Sequence, residues 1–254
     1  MKMLILALAA VGLVGCATPE PASAGLVDVS VVNRATGEHL KVYSRDGNLY
    51  VAGRPGDRYA IRMHNRSGGR VLTVVSVDGV NVVTGQTASP HQGGYVLSAH
   101  ESHEITGWRK SLDQVAAFYF TALPDSYAAR TGRPGNVGVI GVAVFSERVE
   151  RPTVSLSKSR AADAPSPAAE SSSMGAASAP MRRLRDERIG TGHGERENSR
   201  VTTTEFRRDS RSPAQVITIY YDSYHNLAAR GIIPTYPAKR PNAFPGHFVP
   251  DPHG

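Results

Sequence analysis

A chain of 254 residues, 40% of them apolar, is long enough to bury a sizeable core, and its net charge of +7 gives it a standing attraction for anionic surfaces. With one cysteine it has no intramolecular disulfide framework, so the folded part must stand on its core in any redox compartment. The basic surplus lies mainly in the second half of the chain.

The N-terminus opens with Lys2, an apolar run from Met3 to Gly15 and a small-residue boundary at Gly15-Cys16, so residues 1–15 read as an export signal. At 13 residues the apolar run is shorter than the roughly 20 that a spanning helix needs. Leu13-Val14-Gly15-Cys16 resembles the lipobox of bacterial lipoproteins. That resemblance implies cleavage before Cys16, a diacylglyceryl thioether and an amide-linked acyl chain such as palmitate on Cys16, and stable membrane anchoring through lipid alone. Ala17, rather than Asp, follows the cysteine. In lipoproteins of Gram-negative bacteria this goes with the outer membrane, so the expected location is the cell envelope, on an outer membrane and facing the periplasm. The alternative is a signal cut after Ala22-Ser23-Ala24, which would release a soluble periplasmic protein.

Residues 16–25, small and Pro-containing, read as a tether. From 26 to 150 short runs rich in β-branched and aromatic residues alternate with Gly, Asn and Asp turns, which predicts an antiparallel β-sandwich of jelly-roll type. Asp78-Gly79 is the sharpest hairpin signal, because a two-residue type I′ turn needs positive φ at both central positions; Asp78 is read as turn chemistry rather than catalysis. Tyr59, Ile61 and Met63 alternate with Ala60, Arg62 and His64, which predicts one inward face. VGVIGVAVF, apolar throughout, predicts a central strand covered on both sides.

Residues 151–181, rich in Ala, Ser and Pro, read as a disordered linker. Residues 182–233 read as a strand near Val201–Phe206 followed by an amphipathic helix that Ser212 would cap and Gly231 would end, the pair docking on the sandwich as a face cover or an edge strand. Residues 234–254 form a Pro-rich tail. The predicted fold class is therefore mainly β, an antiparallel sandwich with a C-terminal strand and helix docked on it.

RVLTVVSVDGVNVVTGQTA, EITGWRKS, AAFYFTALPDSYAARTGRPGNVGVIGVAVFSE and GTGHGERE resemble a group of uncharacterised proteins of Gram-negative bacteria, over most of 35–150 and about 188–232. The resemblance implies that the two structured parts belong together. It carries no activity and no site residues.

Several clusters could bear chemistry. His100-Glu101-Ser102-His103-Glu104 has its histidines three apart, whereas the zinc-peptidase pattern needs four on one helical face; the expected role is a solvated loop or strand, and no metal site is predicted. Ser155 and Lys158 match S-x-x-K without its partner motifs and inside the linker, so no nucleophile is expected there. Gly190-Thr191-Gly192-His193-Gly194 lacks the context of a nucleotide loop and predicts a tight turn or close packing. His193, with Glu195 and Glu197 nearby, is the weak catalytic candidate. Trp108 and Arg109 are the weak ligand-binding candidates, either a sugar-stacking pair or a core aromatic with a rim cation. Arg182, Arg183, Arg185 and Arg188 form a basic run that reads as a solvated junction or a site for anionic polymers.

The expectation is a non-catalytic, lipid-anchored envelope module for binding or assembly. Its partners would be membrane lipid through acylated Cys16 and envelope polymers or another envelope protein, with no nucleic acid and no cofactor. A hydrolase pairing His193 with a carboxylate and a cell-wall or carbohydrate binder using Trp108 and basic groups are the alternatives.

Overall fold

The computed structural model describes residues 25–149 and 188–234. The expected export signal, Cys16, the expected tether up to residue 24, the expected linker 151–181 with Ser155 and Lys158, Arg182, Arg183, Arg185 and the expected tail from 235 onward lie outside the described residues. Among the described residues strands account for 49% and helices for 9%, in several mostly antiparallel sheets consistent with a β-sandwich and with no closed barrel.

In chain order the strands are β1 (Val27–Asn33), β2 (Val42–Arg45), β3 (Asn48–Gly53), β4 (Tyr59–Asn65), β5 (Val71–Val77), β6 (Val80–Asn81), β7 (Tyr95–Leu97), β8 (Ser102–Ile105), β9 (Gly107–Arg109) and β10 (Gln114–Ala122). A short helix α1 (Tyr127–Arg130) precedes β11 (Val139–Ser146), and then come β12 (Ile189–Asn198), β13 (Gln215–Ser223) and helix α2 (Tyr224–Ala229). The largest sheet runs β2-β3-β13-β11-β5-β6, with β7 also on β5; two smaller sheets run β1-β4-β8 and β12-β10-β9. The β13–β3 pair is parallel.

The expected inward face of β4 is present, with Tyr59, Ile61 and Met63 fully buried; on the other face Arg62 is exposed and His64 half-buried, but Ala60 is fully buried, against expectation. Tyr59 stacks on Phe118 and Phe120, with centroids 5.3 and 4.3 Å away. β11 is central, between β5 and β13. Its Ile140, Val142 and Val144 join the main core, and Ala143 and Phe145 pack on the other side with Leu72, Val74 and Phe206. Asp78 and Gly79 hold φ of 54° and 73° between the paired Val77 and Val80, the geometry of the predicted two-residue turn.

The C-terminal part departs from expectation in two places. The predicted helix from Ser212 to Gly231 is a nine-residue strand, β13, followed by the six-residue α2. Val216-Ile217-Thr218-Ile219-Tyr220-Tyr221 is β-branched or aromatic throughout, and pairing with β3 and β11 on both sides outweighs the three-and-four spacing of its apolar residues. Ser223 rather than Ser212 is the N-cap, accepting from the Asn226 N–H at 3.2 Å; Gly231 does sit past the helix end with φ of 67°. The strand expected near Val201–Phe206 lies earlier, at β12, and residues 199–207 run outside any ladder. The two parts are thus interleaved, with β12 as an edge strand on β10 and β13 inside the large sheet.

Candidate functional site

Glu101 and His103 of the His100–Glu104 cluster and Arg109 of the Trp108-Arg109 pair, far apart in chemistry when read from sequence, line one groove of about 550 Å³. Its floor comes from Tyr95 at the start of β7, His103 on β8 and Arg109 at the end of β9; its lip is the segment Arg200–Thr204. Gly94 allows this approach, since a Cβ there would lie 2.1 Å from the Thr73 carbonyl oxygen.

Strand pairing divides the histidine cluster. His103 stands opposite Met63 and turns toward the interior, its ring 5.2 Å from that of Tyr95; Glu104 stands opposite Arg62 and pairs with it at 2.9 Å on the outer face. Glu101 lines the groove and its carboxylate accepts from the Ser98 N–H at 2.7 Å. His100 is a turn residue with φ of 59°. Burial pulls the His103 pKa below its ordinary value; the Glu101 carboxylate works against that shift and the Arg109 guanidinium adds to it.

Arg109 ties floor to lip. Its Nη2 donates to Tyr95 Oη at 3.0 Å and Ser199 Oγ at 3.2 Å, and its Nη1 donates to the Ser199 carbonyl. Val201 N–H donates to the Leu112 carbonyl at 2.8 Å and Arg200 pairs with Asp113 at 3.3 Å, so the start of the lip is fixed. Further on, Arg70 Nη2 holds Thr204 Oγ1 and the Glu205 carbonyl, both at 3.1 Å. Between these clamps the exposed Thr202 and Thr203 make no backbone hydrogen bond to another described residue. A clamped backbone with open donors and acceptors is free to pair with an incoming strand.

The other sequence candidates fall elsewhere. Trp108 is 2% exposed, set edge-on against Phe118 at 4.8 Å, and offers no face to a ligand; its Nε1 has no hydrogen-bond partner among the described residues. The Gly190–Gly194 run is strand, not turn, but its glycines do serve close packing: a Cβ at Gly192 would meet the Tyr119 ring and one at Gly194 the Ala117 carbonyl. A bulge at Gly194-Glu195, opposite Ala117, changes the parity of β12. His193 consequently packs near Trp108 and Tyr127, whereas Glu195 and Glu197 reach Arg58, and Glu197 also Arg34. His193 shares a hollow with Asp125 and Arg130, and burial together with Lys110 and Arg130 lowers its pKa. No hydrogen bond joins it to a carboxylate among the described residues.

Tyr95, Thr202 and Thr203 belong to no sequence motif; the available hint is the threonine run inside the strand expected near Val201–Phe206. Among the described residues no group of three or more His, Cys, Asp or Glu side chains could hold a metal ion, and no helix is long and apolar enough to cross a membrane. The groove offers hydrogen bonding, one imidazole and two cations, a set suited to holding a ligand. Comparison with protein-family models, with characterised proteins and with solved structures finds no match.

Proposed function

We propose that the protein is a lipid-anchored binding module of the cell envelope, held to the outer membrane through acylated Cys16, and that its groove takes an extended polypeptide segment of another envelope protein. What carries the binding half of this reading is the clamped Thr202-Thr203 backbone beside the Tyr95–His103–Arg109 floor. A peptide adding as a strand to this lip would gain main-chain hydrogen bonds, while alternate side chains enter the groove. Glu101 at one place and Arg109 and Arg200 at others would select its charge pattern. The lipobox resemblance and the Lys2-to-Gly15 signal support the anchoring half.

The test uses a photoreactive residue in place of Leu112, which lines the groove and is 52% exposed. Crosslinking in intact cells is expected to give one discrete adduct with an envelope protein. Thr203→Pro, which removes the backbone donor without touching the core, is expected to abolish it. An adduct that persists in Thr203→Pro would count against strand addition.

A further inference from the structure

A second hollow, of about 290 Å³, sits at the opposite end of β12 from the groove, roughly 30 Å away by strand length. Tyr50 and Tyr220 line it from neighbouring strands, their rings 5.5 Å apart, and Asn136, Arg188 and Arg230 complete it with the carboxylate of Asp222. That carboxylate is committed: Oδ1 accepts from the Ser223 N–H at 2.8 Å and Asn226 Nδ2 at 2.9 Å, and Oδ2 lies 3.8 Å from Arg230 Nη1. Arg230 is therefore partly neutralised, and its guanidinium lies 5.6 Å from the Tyr50 ring centroid.

Arg188 is different. It has no ion pair with a carboxylate among the described residues, and its Nε is buried without a hydrogen-bond partner. An orphaned, buried guanidinium N–H is unfavourable by itself, and the rest of the same half-buried side chain lines the hollow, where an acceptor engaging the guanidinium would offset that cost. The hollow as a whole carries two guanidinium groups against one carboxylate, with phenol and amide groups around them. Guanidinium forks match phosphate oxygens, and a tetrahedral dianion directs its oxygens out of one plane and carries twice the charge of a carboxylate, so it suits two arginines that approach from different elements.

We propose that this hollow binds a phosphate group through Arg188 and Arg230, with Tyr220 against whatever carries the phosphate. The phosphate could belong to a lipid headgroup or to a soluble ester, and the chemistry of recognition is the same for both.

Full-length protein in a neutral detergent, titrated with inorganic phosphate and followed by NMR of the arginine side chains, is expected to show a saturable shift of the Arg188 Nε–H signal. Arg188→Gln and Arg230→Gln are each expected to weaken binding about tenfold or more, with Arg188→Lys only partly restoring it and the remote Arg62→Gln leaving it unchanged. Acetate should compete poorly. Thermal unfolding of each variant, matched to the parent, separates loss of the site from loss of the fold. Vesicles of anionic phospholipid added to the same protein distinguish the sources: arginine-dependent binding to them identifies a headgroup, and a phosphate monoester bound without vesicle binding identifies a soluble ester. A non-saturable shift, or phosphate affinity unchanged in Arg188→Gln, overturns the proposal.

Discussion

Tyr221 donates a hydrogen bond to Asp78 across 143 residues of chain, Oη to Oδ1 at 2.5 Å, in a fully buried position. Asp78 also accepts the Gly138 and Thr191 N–H groups, each at 2.9 Å. Thr191 Oγ1 lies 2.7 Å from Tyr221 Oη and 2.6 Å from Tyr59 Oη. With the Tyr221 proton committed to Asp78, the chain of hydroxyls runs Tyr59 to Thr191 to Tyr221 to Asp78. One turn residue thus joins the β5–β6 hairpin to β12, β13 and the start of β11.

Asp78→Asn is expected to destabilise the protein by about 2–3 kcal/mol, because an amide NH2 would face an N–H or O–H donor where an oxygen stood. Burial raises the Asp78 pKa above its ordinary value, and the four groups that hydrogen-bond to it only partly offset this. Its stabilising contribution is therefore full below the unfolded-state value and declines as pH rises through the higher folded-state value. Urea unfolding at a series of pH values should show the gap between parent and Asp78→Asn narrowing from acid toward neutral pH.

Because β13 lies between β3 and β11, residues 25–149 alone lack the middle of their largest sheet. The fragments 25–149 and 188–234, produced together, are expected to co-purify as one cooperatively unfolding species, and each alone to show no cooperative transition. Ile219→Ala, which empties a fully buried position on β13, should cost about 2–5 kcal/mol in either format. Calorimetry of the mixed and separate fragments decides the matter.

In the groove, the His103 imidazole is expected to titrate below the ordinary histidine value of 6.5 by proton NMR. Arg109→Gln should raise that midpoint by removing a neighbouring cation, and Glu101→Gln should lower it further. Folding favours neutral His103, so its contribution is present above the unfolded value and is lost as pH falls through the depressed folded value. A bound peptide carrying a carboxylate near His103 would move the midpoint up.

The glycines sort by what they meet. Gly94→Ala and Gly107→Ala would bring a Cβ to 2.1 and 2.0 Å from backbone carbonyl oxygens, which cannot swing away. Gly192→Ala meets the Tyr119 side chain, which is partly exposed and can rotate. The first two are expected to lower thermal stability by about 1–3 kcal/mol or more and the third by less.

Strand periodicity made β4, the Asp78-Gly79 hairpin and the centrality of β11 legible, since each rests on local pattern or on an apolar run. The β13 segment misled because a central strand is apolar on both faces: Ile219 and Tyr221 point inward while Val216 and Tyr220 are exposed on the other side, and the composite mimics a helical stripe. Asp78 showed its turn role but not its network, whose partners lie 60, 113 and 143 residues away. The groove was half legible. Arg109 stands out in the sequence as a weak ligand-binding candidate and His100–Glu104 as a solvated polar cluster, but the convergence of Arg109 with Glu101 and His103 depends on the pairing of β8 with β4 and on a lip formed by residues 200–204. The bulge at Gly194-Glu195 separates His193 from the carboxylates that sequence proximity put beside it.

The proposed function requires that the protein be tethered to a membrane through Cys16. Mass spectrometry of the N-terminal peptide of the mature protein, extracted from cell membranes, measures this directly. The prediction is a chain that begins at Cys16 and carries thioether-linked diacylglycerol and an amide-linked acyl group. An unmodified chain that begins at Gly25, with Cys16 removed, would contradict it.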